Sequence, residues 1–291
     1  MGKSREIKDR MKAVGNIRRI TKTMQMIATA RFQASQRRAT AAQPYTRKIT
    51  QLVGELGAVG GGADHPLLQR PETPVGRQLL LVITSNRGLC GGYNANLLRQ
   101  AVAFLTSGTD QQIDLEVVGK KGLAYFKFSG TSVKAFHGHL TDPPDPQAVQ
   151  QLADRYMQAF TDRVYDAVRV VYMALHSVAR QSPHVLSLLP MVPPAGGDGV
   201  VRSKAEVVYD FSPPPGELLN ELLPIAVRNQ LMQCFNEAAV GEHIARMVAM
   251  KSATDNAGKM GKELGRQYNR ARQTAITTEL SEIIAGSTAL K

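Results

Sequence analysis

The residues best arranged for chemistry lie in NRGLCGGYN, positions 86–94. The apolar run LLLVITS leads into it from Leu79, and the helix-like stretch ANLLRQAVAFL leaves it. Strand, glycine turn and helix is an arrangement that grips nucleotide phosphates. Glycine lets the backbone come close, and a helix N-terminus attracts an anion. Gly88, Gly91 and Gly92 nevertheless have the wrong spacing for G-x-G-x-x-G, and no Gly-Lys-Ser/Thr ending follows. Glu116 falls inside the next apolar run and not at its tip, where an acidic ribose ligand is expected. The turn reads as a tight strand-to-helix connection that uses glycine backbone angles, with Arg87 and Asn94 open to a partner chain.

Other reactive side chains are scattered. Cys90 beside Arg87 has the thiol-and-cation pairing of reactive cysteines, but a small residue in a tight turn accounts for it equally. Cys90 and Cys234 form no metal spacing, and a reducing compartment is the expectation. His137 and His139 bracket Gly138 with no acid or cysteine at ligand spacing. No nucleophile-elbow sequence occurs. No catalytic, cofactor-binding or metal-ligating residue is expected.

The elements around these residues fall into three parts. Ile7, Met11, Val14, Ile17, Ile20, Met24 and Ile27 recur at steps of three and four, which predicts one long N-terminal helix over residues 1–57, kinked or ended by Pro44. A Gly- and Pro-rich linker covers 58–76. Alternating strands (78–84, 113–119, 132–136, 167–175, and further ones within 185–191 and 205–211) and helices (95–105, 120–130, 145–163) predict a mostly parallel sheet over 77–212.

Residues 213–291 predict a second long helix, opened by PPPGELLNELLP and free of proline from Ile225. Its stripe is Leu231, Phe235, Ala238, Met247, Met250, Ala253, Ala257, Met260 and Leu264. Gly241, Gly258, Gly261 and Gly265 weaken it, and read as places where a second helix comes close. Neither stripe can be buried alone. The expected fold is α/β: a long antiparallel coiled coil of the N- and C-terminal helices with a Rossmann-like α/β domain inserted between them.

Net charge is +12 across 291 residues, and it is concentrated. Residues 1–48 carry 13 lysines and arginines against two acids, whereas residues 49–215 carry 14 of each sign. A basic first segment suits acidic protein, nucleic acid or anionic lipid. No apolar run reaches the roughly 18 residues of a membrane span. MGKSREIKDRMK is charged with no apolar stretch behind it, so a signal peptide is not expected.

SREIKDRMKAVGNIRRITKTMQMIATAR resembles the start of the gamma subunit of F-type ATP synthases. ARMVAMKSATDNAGKM and YNRARQTAITTELSEIIAG resemble its C-terminal helix, and ITSNRGLCGGYN its central-domain turn. The resemblance implies a non-catalytic rotor shaft standing inside a ring of alpha and beta subunits. Its globular part would meet the epsilon subunit and a membrane ring of c subunits. Proton or sodium flow would turn it, peripheral to the cytoplasmic side of a bacterial inner membrane.

By the same resemblance, Arg272 and Gln273 match positions that contact a beta-subunit loop. Met24, Arg246, Thr277 and Glu282 match positions that influence coupling, and Tyr209, Asp210 and Phe211 a foot facing the c ring. Ser212 and Asn86 stand where acidic residues are commoner in the family. The cysteine-bearing insert of the chloroplast form is missing, so thiol control by that route is not expected.

Two other classes fit parts of the sequence: a basic coiled-coil nucleic-acid-binding protein and a nucleotide-binding α/β enzyme. The failed phosphate-loop match yields a test. The isolated chain should neither hydrolyse ATP nor bind it tightly. Saturable binding near about micromolar, abolished by a bulky residue at Gly91, would identify the turn as a nucleotide site after all.

Overall fold

The computed structural model describes residues 2–56, 65–69, 73–107, 111–140, 142–191 and 214–289. Its elements in chain order are α1 (Gly2–Leu56), β1 (Arg77–Ile83), α2 (Tyr93–Leu105), β2 (Gln112–Val118), α3 (Lys120–Phe128), β3 (Ala135–Phe136), α4 (Pro146–Thr161), β4 (Ala167–Leu175), β5 (Gln181–Leu189) and α5 (Pro215–Ala289). The chain divides into two compact units, Met1–Ala30 with Arg246–Lys291, and Arg31–Ala245. Both divisions fall inside the long helices. The segment expected as a late strand at 205–211, with Tyr209, Asp210 and Phe211, lies outside the described residues.

In the Arg31–Ala245 unit the sheet order is β3-β2-β1-β4-β5. β1 pairs in parallel with β2 and β4, β2 in parallel with β3, and β5 runs antiparallel to β4. β1 is buried on both faces, which is why its sequence is an apolar run without alternation. Period two still sorts its side chains. Leu79, Leu81 and Ile83 enter one core with α4, the start of α5 and Ile49, Val53 and Leu56 of α1. Leu80 and Val82 enter the other, with α2 and α3. The domain is therefore three layers, helix on sheet on helix.

Several expectations need correction. Pro44 does not end α1, which runs on to Leu56. Pro44 is exposed, so water can satisfy the carbonyl that loses its N–H partner. α5 begins at Pro215 and passes through Pro224. β3 is two residues long, and β5 starts four residues earlier than its apolar run suggested, at Gln181.

Besides Gly91 in the expected turn, two glycines outside it carry a structural constraint. A side chain on Gly119, at φ +91°, would sit 2.2 Å from the Thr84 carbonyl oxygen, and one on Gly122 would sit 2.7 Å from Thr84 Oγ1. They let α3 start against the end of β1, where Gly122 N–H donates to Thr84 Oγ1 at 2.9 Å. In the quoted turn Gly91 has a positive φ, 56°, but so does Leu89, 62°. Ser85 N–H donates to Asn94 Oδ1 at 3.1 Å and Asn94 Nδ2 to Cys90 Sγ at 3.3 Å, so Asn94 closes the turn from within.

His137 has an acidic neighbour that local spacing concealed. Its Nε2 lies 2.7 Å from Glu116 Oε2 of β2. The same oxygen accepts from Arg155 Nη2 at 2.6 Å and from the Tyr156 hydroxyl at 2.7 Å, both on α4. Burial alone would raise the Glu116 pKa, but the hydrogen bonds from His137 and Tyr156 and the charge of Arg155 outweigh it and hold the carboxyl below its ordinary value.

The folded-state value lies below the unfolded one. The stabilisation is therefore complete above about pH 4.3, the unfolded glutamate value, and is lost as pH falls through the folded value. Glu116→Gln should cost about 1–3 kcal/mol at neutral pH. It should also flatten the loss of stability on acidification below about pH 4.3. Urea unfolding across that range checks both, and an unchanged acid slope would remove Glu116 as its source.

Candidate functional site: the paired helices and the covered crevice

In sheets of this kind ligands bind outside the carboxyl ends of the strands, where the strand order reverses. Here that point lies between β1 and β4, and α5 occupies it. The Tyr93 hydroxyl, at the start of α2, donates to the Ala238 carbonyl of α5 at 3.0 Å. Glu237 Oε2 accepts from Leu175 N–H, at the end of β4, at 3.1 Å. A side chain on Gly241 would meet Met173 Cγ of β4 at 3.0 Å, the closest such approach among the described glycines of α5.

What remains open is a cleft of about 490 Å³ bordered by Thr84, Asn86, Lys120, Asp142 and His243. It mixes both signs of charge and has no phosphate-binding loop. Among the described residues no three His, Cys, Asp or Glu side chains converge as metal ligands. Cys234 is fully buried, and burial pushes its thiol pKa far up, which suits packing and not nucleophilic chemistry.

The other unit is the helix pair itself. In α1 of this unit the buried and half-buried positions include Ser4, Ile7, Met11, Val14, Thr21, Gln25 and Ala28. In α5 they include Met247, Met250, Thr254, Ala257, Gly261, Leu264, Tyr268, Ala271 and Ala275. Both sets advance by alternating steps of three and four, doubled to seven across the exposed Arg18. That 3.5-residue period is the seam of a left-handed coiled coil. The Thr254 hydroxyl donates to Thr21 Oγ1 across the seam at 2.8 Å, and the Thr21 hydroxyl to the Arg18 carbonyl at 3.1 Å. Gly258 faces Arg18 and Gly261 faces Val14, so the helices are antiparallel.

The expected stripes leave this seam. From Ile17 onward the expected positions on α1 sit one residue off it, and Ala253 and Met260 do the same on α5. Ile17, Ile20 and Ile27 are 52%, 58% and 53% exposed, and Met260 is exposed as well. Beside those positions the seam uses Thr21, Gln25, Ala28, Thr254 and Gly261, so there the more apolar residue of the turn lies off it. The unit thus has a second, external apolar track, extended on α5 by Val248, Ile276, Leu280, Ile283 and Ile284. Its residues also carry 16 lysines and arginines against six acids, +10 of the chain's +12.

The sequence-predicted site residues lie on this unit without forming one cluster. Met24 is half-buried beside the seam and Arg246 is buried. Arg272, Gln273, Thr277 and Glu282 are exposed near the end of α5, where the Thr277 hydroxyl donates to the Gln273 carbonyl at 3.0 Å. Carrying the seam register outward puts Gly2 opposite the region of Gln273. No described residue of α1 therefore faces Thr277 or Glu282.

A family model described as ATP synthase matches residues 3–290. The ATP synthase gamma chain of Rhodopirellula baltica is 38% identical over the full length of both chains, and that of Leptospira biflexa 36%. Among solved structures, the rotor of the Euglena gracilis mitochondrial ATP synthase has the same fold. Its TM-score is 0.63 at 19% identity, covering 94% of this chain and 99% of that one.

The seam corrects the expected role of the helix glycines. A side chain on Gly258 would meet Arg18 Nε at 3.6 Å and one on Gly261 would meet Val14 Cγ1 at 3.9 Å, both ordinary contacts. Nothing lies within 4 Å of one on Gly265. These positions do not need glycine for α1 to approach. Gly258→Ala and Gly265→Ala should each stabilise the chain, by up to about 0.8–1 kcal/mol, the difference in helix propensity. Thermal unfolding of the two variants is the check, and a lowered midpoint would mean the helices pack more closely than this.

Proposed function

The chain belongs to the gamma-chain family of ATP synthases, and on that premise we propose that it is the rotor shaft of the central stalk. It couples rotation of a membrane c ring, driven by protons or sodium ions, to ATP synthesis or hydrolysis at the beta subunits. The chain itself is non-catalytic. It stands inside the ring of alpha and beta subunits, meets the epsilon subunit and the c ring through its α/β part, and lies peripherally on the cytoplasmic face of a bacterial inner membrane. Consistent with a peripheral position, no helix among the described residues is long and apolar enough to cross a membrane.

The observation that carries this reading is the exposed face of the helix pair. A bearing surface must attract its sleeve without holding one angle. Isoleucines and methionines spaced along the outside supply non-directional contact. Exposed lysines and arginines add attractions to acidic ring segments that are individually worth only about 0–1 kcal/mol. Neither kind of contact alone traps the rotor. Arg272 and Gln273 are the residues assigned to a beta-subunit loop, and Met24, Arg246, Thr277 and Glu282 those assigned to coupling. Tyr209, Asp210 and Phe211 are assigned to the c-ring foot.

The covered crevice disfavours the nucleotide-enzyme reading, since α5 lies where a cofactor would. The basic charge alone suits nucleic acid as well as acidic protein. The apolar residues interleaved with that charge fit a protein sleeve better than a phosphate backbone, which rewards cations and not isoleucines.

Removing Ser281–Lys291 tests the shaft reading. The tip has no described partner on α1 and contributes bearing contact from Ile283 and Ile284. The truncated chain should enter the ring and still turn, with lower torque or turnover. A chain that fails to assemble with alpha and beta subunits would make the tip an assembly element and overturn this assignment.

A further inference from the structure

Asp142 lies in the loop between β3 and α4, and it bonds to both terminal helices. Its Oδ1 accepts from Arg38 Nη2 of α1 at 2.7 Å, and its Oδ2 pairs with His243 Nε2 of α5 at 2.7 Å. Ser35 Oγ, one turn along α1, also accepts from Arg38 Nη2 at 3.1 Å. His243 is fully buried, so this arm of the clamp is shielded from water and salt.

The surrounding apolar contact is thin. Ala39, Val240 and Ile244 form a small buried cluster, with Phe32 and Leu175 against it. Small apolar contacts are non-directional and tolerate sliding. Charge-assisted hydrogen bonds are short and directional. A slip of one residue along either helix turns the side chain by about 100° and breaks the bond.

We propose that Asp142 is a positioning residue for torque transfer, a carboxylate that ties the rotational setting of both helices to each other and to the α/β insertion, beside the core contacts further along them. The proposal rests on the rotor reading above. The carboxyl is suited to it: burial would raise its pKa, but the hydrogen bond from His243 and the charges of His243, Arg38 and Arg31 outweigh this and keep it ionised.

The test uses the whole complex reconstituted in vesicles, with ATP hydrolysis and ATP-driven ion pumping measured side by side. Asp142→Asn should leave hydrolysis by the detached catalytic sector within about twofold. It should lower the ratio of pumping to hydrolysis about three- to tenfold, the range for losing one member of a shared network. Asp142→Glu, which keeps the charge, should restore most of that ratio.

Should the asparagine variant fail to fold, Arg38→Gln removes only the α1 arm and should lower the ratio by a smaller factor. An unchanged ratio in the variant that assembles overturns the clamp. So does a glutamate variant no better than asparagine, since a role in stability alone would not follow the charge. If the unmodified chain neither enters the ring nor supports pumping, the rotor reading fails, which is a separate result.

Discussion

The seam between α1 and α5 repeats every three and a half residues, and the rest of the Met1–Ala30 and Arg246–Lys291 unit follows from that constraint. A helix whose contact positions advance 3–4–3–4 must supercoil to keep them facing a partner. Thr21, Ala28, Thr254, Ala257 and Gly261 supply no large knob to enforce register, which leaves that to Ile7, Met11, Val14, Met250 and Leu264. The hydroxyl pair Thr21–Thr254 is then the feature that distinguishes one phase from its neighbours, as a polar residue in a coiled-coil seam does.

Much of this was legible in the sequence, and the failures have physical causes. The parallel sheet could be read because β1, β2 and β4 are apolar runs separated by helix-period segments, a pattern that only a sheet covered on both faces requires. Pairing of the two terminal helices followed from amphipathicity. Part of the seam did too, in Ile7, Met11, Val14, Met247, Met250, Ala257 and Leu264, but from Ile17 onward, and at Ala253 and Met260, the more apolar residue lies one position beside it. A helix with two apolar tracks offers no way to rank them by hydrophobicity alone. The alternation of steps was the better signal, and Thr21, Gln25 and Ala28 would have revealed it.

The same holds for the polar groups. Glu116 and His137 are 21 residues apart, and Asp142 is 101 residues from His243. No spacing rule reaches across a parallel crossover, whose strands meet only after the intervening helix has packed. Gly119 and Gly122 were hidden for another reason. Their constraint is set by Thr84, just past the end of β1 and respectively 35 and 38 residues away, so no local glycine pattern marks them.

α5 lying across the strand ends has a consequence for how the α/β domain can be used. A pocket that serves a diffusible molecule alternates between filled and empty, and its occupancy depends on how much of that molecule is present. Here the occupant is covalently part of the chain, so its effective concentration is fixed and dilution cannot release it. At the ends of β1 and β4 there is no vacant state to be titrated. A metabolite competing for the ends of β1 and β4 would have to outbid a tethered rival that also makes the Tyr93 and Glu237 hydrogen bonds.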